Sequence, residues 1–211
     1  MHFRDRVEAG QLLAKDLAWL KDQQGVIVLG IPRGGVVVAN EIAKALHAPL
    51  DVYITRKLGA PHNPELAIGA LASDGAAFLD QEMIRRLGVT AEFVQSEIAR
   101  QRKEIARRMA AYHGTRPEPD LHDKTVVLVD DGVATGATVL VSLRSIRQRQ
   151  PRQLILAVPV GAPDSISSLQ KEADHVVCLC SPEVFWAVGS FYSDFSQTSD
   201  QEVIQMLAER P

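Results

Sequence analysis

Asp130 and Asp131 are adjacent acids at the end of an apolar run, Val126-Val127-Leu128-Val129. They are followed by Gly132-Val133-Ala134-Thr135-Gly136-Ala137-Thr138. An acid pair of this kind can accept hydrogen bonds from neighbouring hydroxyls or touch a cation. The small residues behind it let an anion approach the backbone, and a helix beginning there offers unpaired N–H groups and the positive end of its dipole. Acids next to such a cradle would repel the anion. They make sense if they hold neutral hydroxyls, or a metal, on the same ligand. A sugar phosphate with a free diol satisfies both halves. No Gly-Lys-Ser/Thr follows, so this is not a Walker A loop.

Other residue types with chemical reach are spread along the chain. Gly30-Ile31-Pro32-Arg33-Gly34-Gly35 is a second glycine-rich turn after an apolar run. Arg56 and Lys57 form a basic pair after another. The stretch from Lys57 to Gly69 carries His62 and Glu65 among Gly59, Pro61 and Pro64. His62 is open to an acid or base role, and equally to that of a surface loop residue. Aromatic residues make up only 5% of the chain, yet they bunch in Phe185, Trp186, Phe191, Tyr192 and Phe195. That bunching fits either a ligand platform or a small satellite core under a loop.

The elements that must position these residues alternate. Apolar spacing predicts a helix over 5–21, a strand over 26–29, a helix over 36–46 and a strand over 50–55. A loop over 56–67 follows, then a small β pair, 68–73 with 76–79, around Asp74-Gly75. Helices are expected over 81–87 and 91–112, the second capped by Thr90. Pro117 and Pro119 mark a linker over 114–121 leading back to the Val126 strand. Beyond the Gly-Thr turn come a helix to Arg149, a strand over 154–159, a short helix over 164–172, a strand over 176–179, an irregular aromatic stretch over 181–197 and a last helix over 199–209. This alternation argues an α/β fold with a mostly parallel sheet and helices on both faces. In such sheets ligands bind outside the carboxyl ends of the strands, where both glycine-rich turns lie.

With 211 residues the chain is read as one domain, 1–211, with an elaboration. Hydrophobic residues at 46% and charged residues at 23% suit a globular protein, and a net charge of −3 gives no electrostatic reason to expect nucleic acid as a partner. The basic cluster from Arg100 to Arg108 is interleaved with apolar residues at helical spacing and reads as a solvated helix face. Cys178 and Cys180 stand too close in sequence for a structural disulfide and lack partners for a zinc site. They read as strand residues in a reducing compartment. The start of the chain lacks the apolar run of a signal peptide, and no apolar stretch reaches membrane-spanning length. The expectation is a cytoplasmic protein with no membrane partner.

The segment Val126–Thr138 resembles the 5-phosphoribosyl-1-pyrophosphate (PRPP) motif of the type I phosphoribosyltransferases: four apolar residues, two acids, variable positions, then Thr-Gly-x-Thr. The resemblance implies a three-layer fold on a five-stranded, mostly parallel sheet, with a small hood from the chain ends (181–198) and, here, a helical insertion (81–113) that covers the sheet or forms an oligomer contact such as a homodimer. It implies a transferase moving the phosphoribosyl group of PRPP to a nucleobase-like acceptor, with release of pyrophosphate. Asp130 and Asp131 would take the ribose diol. Val133, Ala134, Thr135, Gly136, Ala137 and Thr138 would take the 5′-phosphate. Ile31, Pro32, Arg33, Gly34 and Gly35 would face pyrophosphate, with Arg56 or Lys57 neutralising its charge.

By the same resemblance, residues 57–69 would form a loop closing over the site, and Phe185, Val188 and Tyr192 would meet the acceptor. Mg²⁺ would arrive with PRPP rather than on a dedicated protein site, with Asp130 and Asp131 the acids able to touch it. One departure stands out. The 6-oxopurine members carry a third acid three residues after the second, and this chain has Ala134 there. A carboxylate base at the motif is therefore missing, and the acceptor is left open. The alternative on the same fold is a non-catalytic PRPP- or nucleotide-binding regulator.

Overall fold

The structure, a computed structural model, describes residues 1–21, 23–73, 75–113 and 118–209, with the backbone alone at 64 and 65. Asp74 of the expected turn, residues 114–117 of the expected linker and the side chain of Glu65 lie outside the described residues.

The chain begins with α1 (Arg6–Asp16), whose first turn is capped by the Asp5 side chain accepting from the Glu8 N–H. There follow β1 (Val26–Gly30), α2 (Gly34–Leu46), β2 (Leu50–Val52), β3 (Thr55–Ala60), β4 (Asn63–Ala72), β5 (Ala77–Leu79), α3 (Gln81–Arg86), α4 (Ala91–His113), β6 (Thr125–Val129), α5 (Ala137–Gln148), β7 (Gln153–Val160), α6 (Pro163–Leu169), β8 (His175–Cys180) and α7 (Asp200–Ala208). Five strands form one sheet in the order β2-β1-β6-β7-β8, and every neighbouring pair is parallel. This is the sheet expected from the alternation of strand and helix patterns.

Burial on both faces explains the apolar runs. Successive side chains of a strand point to opposite faces. Val127, Val129, Ile155 and Ala157 therefore pack with α1, α2 and α7, through residues such as Leu13, Ile42 and Leu207. Val126, Leu128, Leu154 and Leu156 pack on the other face with Val139, Leu143 and Ile146 of α5 and Leu169 of α6. Each such side chain, fully buried, contributes about 1.5–3 kcal/mol.

Residues 56–67, expected as loop, are instead a β-hairpin. β3 and β4 pair antiparallel from Thr55 with Ala72 to Ala60 with Asn63, and β5 adds a third strand. The residues that suggested a loop are absorbed by the hairpin's own geometry. Pro61 and His62 are its two turn residues, His62 taking the left-handed conformation that follows a proline in a tight turn. Gly59 falls where the register shifts.

The hairpin does not stand alone. Thr55 and Ser142 share a hydroxyl hydrogen bond of 2.8 Å. The long helix α4 covers the hairpin's other side through Val94 and Ile105, which join the core that holds Leu58, Ile68 and Leu71. Tyr112 near the end of α4 donates to Asp200 of α7 at 2.6 Å.

The two ends of the chain meet at the carboxyl edge of the sheet. Phe3 N–H donates to the Phe191 carbonyl, and the Ser193 N–H to the Phe3 carbonyl, each at 2.8 Å. Phe3 and Tyr192 are buried together with Ala9 and Val160, and Phe185, Val188 and Phe191 pack against them. Among the described residues, no helix is long and apolar enough to cross a membrane.

Candidate functional site

The acid pair sits where β6 ends, one strand from the turn that follows β1. Asp130 Oδ1 accepts from the Asp131 N–H at 2.9 Å, which locks the two acids to each other. Asp131 Oδ2 accepts from Arg6 Nε at 2.7 Å. Burial, then the neighbouring Asp131 charge, push the Asp130 carboxyl well above the usual carboxylate range. Burial raises Asp131 too, while the Arg6 guanidinium opposes that rise.

The turn after β1 lies directly against this pair. A Cβ on Gly34 would run into Asp131 Oδ2 and come within 2.7 Å of Arg6 Nε. A Cβ on Gly35 would lie 2.8 Å from the Asp130 Cα and from the Val129 carbonyl oxygen. Ile31 N–H donates to the Val129 carbonyl at 2.8 Å, and the Pro32–Arg33 peptide is cis. Pro32, Arg33 and Gly34 are half-buried at the start of α2.

The turn after β6 is more open. Gly132 and Val133 through Val139, with Asp130 and Val188, line a cavity of about 200 Å³. Thr135 and Thr138 are exposed there. Ala137, Thr138 and Val139 open α5, and the N–H groups of a helix start have no earlier turn to bond to. Val133 differs from its neighbours: it is buried, and its N–H donates to the Val160 carbonyl at 2.9 Å. Gly136 takes a left-handed φ of 74° as the residue before the helix. A Cβ there would meet Leu169, Ser165 and Val133 at an ordinary 3.5 Å. Conformation, not crowding, is what glycine answers at this position. Ser165 Oγ donates to the Ala134 carbonyl at 2.6 Å and braces the middle of the turn.

Arg56 and Lys57 line a second cavity, of about 420 Å³, with Thr138 at one end and Glu97, Arg100 and Gln101 of α4 along its wall. Arg56 Nε donates to Gln101 Oε1 at 3.0 Å, Gln101 Nε2 donates to Glu97 Oε1 at 2.9 Å, and Arg100 pairs with Glu97 at 2.7 Å. The Gly59 N–H also donates to Glu97. Glu97 is 6% exposed and Gln101 4%, so Arg56 is seated by polar groups of the helix that sequence reasoning set outside the core.

The three hood positions fall in different environments. Val188 faces the small cavity and touches the position a Gly132 Cβ would occupy. Phe185 stacks on Phe191 at 5.5 Å between centroids. Tyr192 is buried and donates its hydroxyl to the Asp131 carbonyl at 2.6 Å. The most exposed aromatic is Trp186, at 87%. His62 is exposed at the hairpin turn.

Two sets of residues escaped sequence reasoning: Arg6, on Asp131, and the Glu97–Gln101 pair, on Arg56. Each reaches its partner across a long stretch of chain, and neither sits in a local pattern that marks it. No group of three or more His, Cys, Asp and Glu among the described residues could hold a metal ion. The carboxylates that the structure brings together at the site are those of Asp130 and Asp131.

The similarity to known proteins runs along nearly the whole chain. The family model described as phosphoribosyl transferase domain matches residues 5–196. Two proteins of Mycobacterium tuberculosis, from strains H37Rv and CDC 1551, provisionally named phosphoribosyl transferases, are each 43% identical over 205 residues. That alignment covers 97% of this chain but 46% of each relative, so the chain spans about half the length of the curated relatives it matches. The crystal structure of TT1426 from Thermus thermophilus is 43% identical, with a TM-score of 0.89 over 100% of this chain and 99% of that one. The AQ2163 protein from Aquifex aeolicus shares the fold at 15% identity, with a TM-score of 0.51 over 82% of this chain and 72% of that one. With its acid pair between two glycine turns, and a family model matching it from residue 5 to residue 196, the chain belongs to the phosphoribosyl transferase domain family.

Proposed function

We propose that the chain binds PRPP and transfers its phosphoribosyl group to a nucleobase-like acceptor, releasing pyrophosphate. The observation that carries this reading is the interlocked acid pair, Asp130 and Asp131, with an open helix-start cavity on one side and a tight glycine turn on the other. The 5′-phosphate takes the backbone of 134–138 and the Thr135 and Thr138 hydroxyls. The acids accept from the ribose hydroxyls. The turn of Pro32, Arg33, Gly34 and Gly35 meets the pyrophosphate, with Arg56 and Lys57 supplying further positive charge. Phe185 and Val188 border the acceptor, with Tyr192 behind them.

The chemistry in this reading is displacement at C1 of the ribose. The bond from C1 to pyrophosphate breaks, and a bond from C1 to an acceptor nitrogen forms. The acceptor's proton leaves for solvent, a phosphate oxygen or a side chain of the β3–β4 segment such as His62. The residues contribute orientation and charge stabilisation rather than a covalent intermediate. Mg²⁺, carried on the PRPP phosphates and within reach of Asp130 and Asp131, would neutralise charge on the leaving group.

The test is a panel of nucleobases with Mg-PRPP, following pyrophosphate release. Turnover with at least one base supports transfer. Binding of PRPP with no release above the spontaneous rate for any base favours a second reading, a PRPP- or nucleotide-responsive regulator. The observation behind that alternative is Ala134, which stands where a carboxylate base serves the 6-oxopurine enzymes.

A further inference from the structure

Asp131 is held from outside its own loop, and by the two ends of the chain. Arg6 on the first turn of α1 donates from Nε to Oδ2 at 2.7 Å. An arginine facing a carboxylate commonly takes both oxygens through its planar fork. Here the fork is divided. Nη1 turns away to the Ser196 carbonyl at 2.8 Å, and the guanidinium carbon lies 3.9 Å from the centre of the Phe195 ring. Only Oδ2 is occupied by the arginine. From the other side of the hood, the Tyr192 hydroxyl donates to the backbone carbonyl of Asp131 at 2.6 Å. The Tyr192 ring is itself fixed between Phe3 at 5.4 Å and Phe195 at 5.1 Å. Side chain and main chain of one acid are therefore both set by residues 6 and 192.

We propose that Arg6 and Tyr192 are positioning residues that aim Asp131 at a vicinal diol: Arg6 takes Oδ2 and leaves Oδ1 to accept from a ligand hydroxyl, while Tyr192 fixes the backbone from which that carboxylate projects. The inference rests on the reading of the acid pair as the diol site. It gives the hood a role in ribose recognition apart from any contact with an acceptor. An Asp131 held by only one of its oxygens has a defined direction and a free acceptor. Without the guanidinium, two adjacent, half-buried carboxylates would turn apart.

The experiment compares calorimetric binding of ribose 5-phosphate, 2-deoxyribose 5-phosphate and inorganic phosphate to the parent chain and to Arg6→Gln, Arg6→Lys and Tyr192→Phe. The parent is expected to prefer ribose 5-phosphate over the deoxy sugar by roughly tenfold, the value of one good hydrogen bond to a charged group. Arg6→Gln should collapse that preference to about twofold or less by weakening the ribose ligand alone, leaving the deoxy sugar and phosphate within about twofold of the parent. Arg6→Lys should restore much of the preference, and Tyr192→Phe should lose part of it. If Arg6→Gln does not fold, the preference in the lysine and phenylalanine variants decides. Equal weakening of all three ligands, or an intact preference in every variant, overturns the positioning role. A parent chain that does not distinguish the two sugars overturns the diol reading itself, and the proposal with it.

Discussion

Two glycine-rich turns leave neighbouring strands at the same edge of the sheet, and they use glycine for different reasons. After β1, Gly34 and Gly35 are glycine because nothing larger fits between the turn and the acid pair. After β6, Gly136 has room for a side chain and is glycine because the chain takes a left-handed conformation before α5. One turn is built by contact and the other by dihedral angle. The first should fail by displacing the acids, the second by straining its own backbone.

Substitution separates these failures. Gly34→Ala drives a methyl group into Asp131 Oδ2 and against Arg6, so the carboxylate or the turn must move. Affinity for ribose 5-phosphate should fall roughly a hundredfold or more, from the loss of two charge-assisted hydrogen bonds at about 1.5–3 kcal/mol each. Unchanged affinity by calorimetry would show that the turn does not seat the acids.

Asp130→Asn should act on binding and stability in opposite directions. Its carboxyl is raised by burial and by Asp131, so the folded state binds a proton more readily than the unfolded chain. Between the unfolded and the folded pKa the native state carries more protons, and stability falls as pH rises through that window. At neutral pH, above the unfolded value, that upward shift is a cost that Asn removes. Melting temperature should rise by roughly 2–4 °C per kcal/mol recovered, while ribose 5-phosphate affinity drops about tenfold. In the parent, affinity should decline on acidification with a midpoint above the usual carboxylate range. A lower melting temperature for the variant at pH 7 would contradict the burial argument.

Gly136→Ala should leave the acids in place. A left-handed alanine costs about 1–2 kcal/mol, or a few degrees in melting temperature, with affinity for inorganic phosphate reduced only several-fold. A loss as large as that of Gly34→Ala would erase the distinction between the turns. The smallest effect is expected from Gln101→Leu, which removes the acceptor that holds Arg56. Weakening of pyrophosphate by about two- to fivefold, with ribose 5-phosphate unaffected, would tie α4 to that end of the ligand. Equal weakening of both would place the damage in the hairpin instead.

The part of the molecule that could be read in advance is the part governed by short-range rules. β6, its acids and the start of α5 lie within thirteen consecutive residues, and both glycine turns follow strands whose burial on two faces makes them continuous apolar runs. The strand pairing within 56–67 was missed, while the pair 68–73 with 76–79 was not, because Gly59, Pro61 and Pro64 carry the same local signal in a loop as in a bulged strand pair with a two-residue turn. Arg6 was missed because its partner is 125 positions away. Glu97 and Gln101 look like any polar residues of a charged helix until β3 is laid against them. Phe185, Val188 and Tyr192 were grouped by the family resemblance. Their division between a ring stack, a cavity wall and a buried hydroxyl contact depends on how residues near the start of the chain fill the space beside them.

The pairing of β1 with β6 joins Val26 to Thr125, so the seam that carries both turns closes about a hundred positions of chain. Everything from α2 to α4 is threaded through that closure. The β3–β5 meander and the α4 helix are made of nearby contacts and can form early, whereas the β1–β6 seam must wait for a long excursion to return. Its two turns acquire their geometry only at that step. Destabilising β1 or β6 should therefore slow refolding more than an equal loss in the hairpin. A recovering chain should regain helical content before it regains any affinity for a ribose phosphate.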